Sequence, residues 1–173
     1  MTENSVQTEQ FVGLILVTGV DRPGIAASLF ETLAPFAIHV IDVEQIVNHN
    51  RLILTVLIGA NPAHQNAIEE DLASCASALD VDIATVFGKS VVSPMAHGLI
   101  KVAITSQKML PQAMFLVTQA ITRSGGNIES FARSSDSPVS LAISISGVSK
   151  DVLEEEFKSL SFENATTISV SDL

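Results

Sequence analysis

The sequence predicts an α+β protein built from two tandem β-α-β-β-α-β units, each an antiparallel sheet with its helices on one face. Two observations carry this. Along 173 residues, one order of strand-like and helix-like hydrophobic patterns occurs twice. Pro23 and Pro111 are 88 residues apart, as are His39 and Asn127, with no gap needed between those points. The composition is compatible: 47% of the residues are hydrophobic and 5% aromatic, with no Trp or Tyr, so the cores must be made of Val, Ile, Leu and Ala.

The elements follow in order. Residues 1–10 are polar and read as a flexible N-terminus. The first domain spans residues 11–88. Phe11 to Thr18 is a strand-like run, and Ile25, Leu29, Leu33 and Phe36 recur at helical spacing. His39 to Val47 and Leu52 to Ile58 are strands around the polar turn Asn48-His49-Asn50. A second helix from about Ala63 to Ala78 carries Ile68, Leu72 and Cys75 on one face, and Val81 to Phe87 is the last strand. Residues 89–97, with Ser90, Ser93 and Pro94, read as a linker. The second domain, residues 98–173, gives the strand Leu99 to Thr105 and a helix marked by Met114, Val117 and Ile121. A hairpin follows, Asn127 to Arg133 and Val139 to Ile145, then a helix from Asp151 to Leu160 and the strand Thr167 to Val170. This is the ferredoxin-like order. One such unit leaves a sheet face and an edge strand uncovered. A second copy supplies a partner, and further edge pairing predicts a homodimer.

Charge and composition exclude several classes of function. The chain has 9 Lys and Arg against 19 Asp and Glu, a formal net charge of −10. Nucleic-acid binding draws on clustered cations, and an anionic membrane surface does likewise; neither is expected as a partner. A mean hydropathy of +0.41 excludes intrinsic disorder. The single Cys75 can form no internal disulfide and fits a packed core position. No basic and apolar leader is present at the N-terminus, and no apolar run reaches the roughly 18 residues of a membrane span. The expected location is cytoplasmic, where the sequon Asn164-Ala165-Thr166 has no consequence.

The most informative segment is Val20-Asp21-Arg22-Pro23-Gly24-Ile25. It reads as a strand-to-helix turn in which Asp21 caps, Pro23 enters the first helical turn and Gly24 permits close backbone approach. The N–H groups of a helix start attract carboxylates, which suits a small zwitterion such as an amino acid; an ordinary capped helix is the alternative. His39, His49, His64 and His97 lack metal-site spacing, so no metal is expected. No phosphate-binding glycine loop is present. Glu69-Glu70-Asp71 and Glu154-Glu155-Glu156 read as solvated helix faces, and Gly125-Gly126 as a helix end.

Leu14 to Ile25 (LILVTGVDRPGI) resembles the opening strand and turn of an ACT domain, a βαββαβ regulatory module of amino-acid metabolism. Val40 to Val47 (VIDVEQIV) and Arg51 to Leu57 extend the match. Together with the tandem arrangement, they make the chain similar to the N-terminal regulatory region of actinobacterial-type phosphoserine phosphatases. Gly125-Gly126-Asn127-Ile128-Glu129 resembles the second module of that region. The resemblance implies binding of a small amino acid, typically L-serine, at a junction of ACT modules, and regulation of an attached phosphatase. It places Asp21, Arg22, Pro23, Gly24 and Ile25 in the ligand loop, Glu44 and Gln45 near the module junction, and Asn127 as a polar ligand-facing residue. In the second copy, Met109-Leu110-Pro111-Gln112 stands at the positions of Asp21 to Gly24 and is poorly suited to close backbone approach.

Phosphatases of this type use a DxDx[TV] segment and Mg²⁺. Asp80-Val81-Asp82-Ile83-Ala84 matches only superficially and reads as the entry to a strand. No catalytic residue and no cofactor is therefore expected in this chain; Mg²⁺ would belong to a phosphatase domain following Leu173. The alternative is a stand-alone tandem regulator, similar to a glycine-cleavage regulator, that acts through protein partners.

Overall fold

A computed structural model describes residues 9–91, 98–162 and 164–173. They form two compact units, the first holding residues up to 91 and the second those from 98 onward. In the first, the order is β1 (Glu9–Val20), α1 (Ile25–Leu33), β2 (His39–Asn48), β3 (Arg51–Gly59), a 3₁₀ turn (Pro62–His64), α2 (Gln65–Leu79) and β4 (Asp82–Val91). The sheet order is β2-β3-β1-β4, with every neighbouring pair antiparallel.

Alternation on the central strands builds the core. Ile15 and Val17 of β1 and Leu52, Leu54, Val56 and Ile58 of β3 are buried. They pack against Ile25, Leu29 and Leu33 of α1 and Ile68 and Leu72 of α2. Each such side chain, fully buried, contributes about 1.5–3 kcal/mol. Cys75 is buried with the α2 face, as its spacing predicts. α1 stops at Leu33, one turn earlier than the periodicity implies. Phe36 lies beyond it, yet still packs partly buried against the core. The β2–β3 turn is tight: His49 and Asn50 have φ of 47° and 62°. Positive φ at both central residues matches the right-handed twist of a hairpin.

Two expected boundaries are corrected. Glu9 and Gln10, read as flexible, pair with Val91 and Ser90, and Phe11 pairs with Lys89. The start of the expected linker, residues 89–91, therefore belongs to β4. Polar side chains hid this pairing because the ladder is made by backbone groups, here with a Glu9–Lys89 ion pair at 3.5 Å. Residues 1–8 of the expected N-terminus and 92–97 of the expected linker lie outside the described residues.

The second unit repeats the order with β5 (Ile100–Ser106), α3 (Pro111–Arg123), β6 (Asn127–Asp136), β7 (Val139–Ser146), α4 (Lys150–Lys158) and β8 (Thr167–Asp172). Its sheet order is β6-β7-β5-β8. Ile100, Val102, Ile104, Val117, Ile121, Ile143, Ile145 and Leu153 form its core. The β6–β7 turn holds a cis Ser137–Pro138 bond. Gly125, at φ 80°, and Gly126, whose N–H donates to Ile121 O at 3.0 Å, terminate α3 as expected.

The 88-residue offset is local. β2 and β6 start 88 apart, but α1 and α3 start 86 apart, at Ile25 and Pro111. Buried Ile15 and Val17 match Val102 and Ile104 with an offset of 87. Pro23 precedes its helix whereas Pro111 begins one. By position between strand and helix, Asp21 to Gly24 therefore corresponds to Gln107-Lys108-Met109-Leu110. Matching prolines is a weaker guide than matching strand faces, because proline is tolerated both in turns and at a first helical position.

The helix-free faces of the two sheets also differ. In the first unit that face carries Leu14, Leu16, Ile46, Ile53, Leu57 and Val86. In the second, the equivalent face carries Lys101, Ala103, Thr105, Ser140, Ala142 and Ser144. Among the described residues, no helix is long and apolar enough to cross a membrane.

Candidate ligand-binding site

At one end of the first sheet, three connections converge: the turn from β1 to α1, the β2–β3 hairpin turn and the turn from α2 to β4. Backbone and side-chain bonds tie the Asp21-Arg22-Pro23-Gly24 turn to both neighbours. The Asp21 N–H donates to Asn50 O at 3.0 Å. An Arg22 guanidinium nitrogen, Nη2, donates to the Leu79 carbonyl at the last residue of α2. A cation at a helix C-terminus meets the negative end of the macrodipole. Arg22 is thus already engaged within the protein.

The expected cap is corrected. Asp21 does not cap α1. Gly24 is the N-cap, with φ 95° and ψ −12°, and no side chain caps the helix. Pro23 lies before the helix rather than in its first turn. The left-handed backbone at Gly24 places the chain reversal one residue before Ile25, so Asp21 sits too far upstream to reach the first N–H groups. A Cβ on Gly24 would meet nothing within 4 Å, so glycine is needed there for its φ, with open space in front of it. Ile25 is 3% exposed and belongs to the core, so its side chain is not presented to solvent.

Glu44 and Gln45 are exposed on β2, an edge strand. Glu44 pairs with Thr55 and Gln45 with Leu54. Successive side chains on a strand point to opposite faces, so a ligand on one face meets one of them. Thr55 in turn pairs with Leu16 of β1. Glu44 is therefore two strands away from β1, roughly 10 Å, and well back from its end. Within the first unit the structure does not bring Glu44 and Gln45 to the Asp21–Gly24 turn.

Asn127, in the second unit, is exposed and opens β6. Its side-chain amide donates to Glu129 Oε1 at 2.8 Å, and the Ser146 hydroxyl donates to the same oxygen. The bond from Ser146, then that from Asn127, hold the Glu129 carboxyl below its ordinary pKa.

Sequence reading missed three side chains at the loop end of the first unit. Arg51, Asp80 and Asp82 line a cavity of about 390 Å³ together with Thr18, Gly19, Val20, Ala76, Ser77 and Val81. Arg51, expected just before a strand that starts at Leu52, is itself the first residue of β3. Asp80-Val81-Asp82 is the entry to β4, as read: Asp80 caps α2 in a left-handed conformation, φ 50°, and Asp82 begins the strand. Their one signal in the sequence was position, since each flanks a turn that ends near β1. Among the described residues, no cluster of His, Cys, Asp or Glu is placed to hold a metal ion.

The β2-β3-β1-β4 sheet with two helices on one face, and a glycine-ended turn leading from β1 into the first helix, define a class. Residues 13–86 match the ACT domain family. The first unit is an ACT domain, and the second repeats its topology. The chain is 32% identical, over 81% of its length, to a phosphoserine phosphatase of Streptomyces coelicolor, of which it covers 35%. It is 30% identical, over 73% of its length, to the phosphoserine phosphatase SerB2 of Mycobacterium tuberculosis, of which it covers 31%. The chain thus spans about a third of the length of these curated relatives. Among solved structures, a candidate glycine cleavage system transcriptional repressor superposes with a TM-score of 0.68 at 22% identity, over 95% of this chain and 98% of that one. A protein of unknown function from Galdieria sulphuraria gives 0.66 at 17% identity, over 96% and 99%. These two likenesses show that the two-unit fold recurs.

Proposed function

We propose that this chain is an amino-acid-binding regulatory module, with L-serine as its ligand, that controls a phosphoserine phosphatase acting in the cytoplasm. The observation that carries this reading is the match to two phosphoserine phosphatases over most of the chain but only about a third of each relative, with residues 13–86 of the chain matching the ACT domain family. In this reading the hydrolytic chemistry, with its Mg²⁺, belongs to the remainder of such a protein. Asp21 to Gly24 shape the loop end at which the ligand is held, Ile25 anchors that loop to the core, and Asn127 organises the start of β6. Glu44 and Gln45 lie on the edge strand through which a second copy would pair. Exposed Val43, Ile46 and Val47 on β2 support a homodimer. Ligand acts by its differential affinity for two arrangements of the protein.

Calorimetric titration with L-serine, glycine and L-alanine tests the reading; absence of heat with any of them at millimolar concentration would sink it. A second reading, a stand-alone regulator acting through protein partners, is favoured by one fact. The tandem fold accounts for 98% of the candidate glycine cleavage repressor, so this architecture occurs as nearly a whole protein. The coding sequence after Leu173 separates the two: a DxDx[TV] segment supports the first reading, and a stop codon supports the second.

A further inference from the structure

We infer that the cavity at the loop end of the first unit is the site that holds the amino acid, with its carboxylate on Arg51 and its ammonium on Asp80 and Asp82. This rests on the reading that the chain senses an amino acid, and it assigns residues that neither sequence nor resemblance had offered for the purpose.

Unspent charge of both signs is the first argument. Among the described residues, the ion pairs are Glu9–Lys89, Arg133–Asp136, Lys150–Glu154 and Lys158–Glu155. Arg51, Asp80 and Asp82 enter none of these pairs, though all three line one cavity of about 390 Å³. Registry explains why they do not neutralise one another. Arg51 lies opposite Val20 on one side of β1, and Asp82 lies opposite Thr18 on the other. Two strand spacings, roughly 10 Å, therefore separate their backbones. A zwitterion offers one charge to each side, whereas a plain anion or cation satisfies one side alone.

Helix α2 adds to this polarity. Its C-terminal residues Ala76 and Ser77 are part of the wall, and the negative end of a helix dipole favours an ammonium group. Arg22 is held on the Leu79 carbonyl, which leaves Arg51 as the lining cation for a carboxylate. The wall is otherwise made of small groups. At Gly19 a Cβ would stand 2.8 Å from Val81 Cγ1, so glycine there lets β1 and the α2–β4 turn close on each other beside the cavity.

The second unit provides an internal contrast. At the end of β5, Ser106 is 1% exposed. Its hydroxyl lies 3.0 Å from Lys108 O and 3.3 Å from Asn164 O, and it accepts from Thr166 Oγ1 at 2.9 Å. These bonds stitch shut the place where the first unit is open. Among the described residues, the neighbouring cavity of about 230 Å³ is lined by Leu110, Gln112, Ala113, Leu116, Ser161, Phe162 and Asn164. The strand end that is open in the first unit is thus closed in the second.

The test is calorimetry on the full chain with L-serine, glycine and L-alanine, and with ethanolamine and lactate as probes that each lack one charge. Arg51→Gln, Asp80→Asn and Asp82→Asn are compared with Glu70→Gln on the solvated face of α2. All four positions are exposed, and Asn tolerates the left-handed backbone at residue 80, so unchanged melting temperatures are expected. The expected result is binding of amino acids and not of the single-charge probes. Each cavity variant should lose about ten- to a hundredfold in affinity, with Glu70→Gln unaffected. Wild-type binding that survives all three cavity substitutions overturns the assignment and leaves amino-acid sensing standing. No binding by the wild type overturns both.

Discussion

Gly24 holds a φ of 95° with nothing near the place a Cβ would occupy. Its one indispensable property is access to the left-handed region. Gly24→Ala should therefore cost about 1–2 kcal/mol, read by urea unfolding, and Gly24→Asn should cost less, since Asn visits that region more readily. Glu129 offers a residue-scale test of a different kind. Its carboxyl is lowered mainly by Ser146 and secondarily by Asn127. A group depressed in the folded state stabilises above its unfolded pKa, and that contribution is lost as pH falls through the folded value. Carbon-detected titration should find Glu129 ionising below ordinary glutamates; Ser146→Ala should raise it, and Asn127→Ala should raise it less. At this scale sequence reading was uneven. The glycine of the turn was identified, but its role as N-cap was given to Asp21, because capping depends on a φ that side-chain identity does not encode.

At the scale of elements, periodicity did most of the work. Burial alternates along β3 although Leu52 to Ile58 is apolar except at Thr55, and α2 turns Ile68, Leu72 and Cys75 inward, as its spacing predicts. Leu72→Ala, at a site 1% exposed, should destabilise by about 2–5 kcal/mol. Ile46, 49% exposed on the edge strand, is the contrasting case. Ile46→Lys should change the stability of an isolated chain by no more than about 0.5 kcal/mol and weaken self-association in sedimentation experiments. Unaltered association would remove β2 from the proposed dimer. Strand ends were less legible than strand middles. Glu9 and Gln10 extend β1 through backbone pairing that polar residues make as well as apolar ones, and hydrophobic pattern says nothing about that. The candidate cavity escaped for a related reason. Arg51, Asp80 and Asp82 come from two turns 29 residues apart, and only strand register brings them to one end of the sheet.

For the whole molecule, two cores that share no buried residue predict separable responses. Leu54→Ala and Ile143→Ala should each cost about 2–5 kcal/mol. In scanning calorimetry each should lower the transition of its own unit, with the pair of effects additive. A single transition lowered equally by both would contradict that independence. A tandem of like units carries a hazard of its own, because a strand of one copy can be taken up by the other during synthesis. The dissimilar helix-free faces reduce it. A β5 strand inserted in place of β1 would set Lys101, Ala103 and Thr105 among Ile53, Leu57 and Val86. It would also put a lysine where Leu14, and an alanine where Leu16, belongs. Divergence between the two faces thus acts as an address, directing each strand to its own sheet while the chain is still being made.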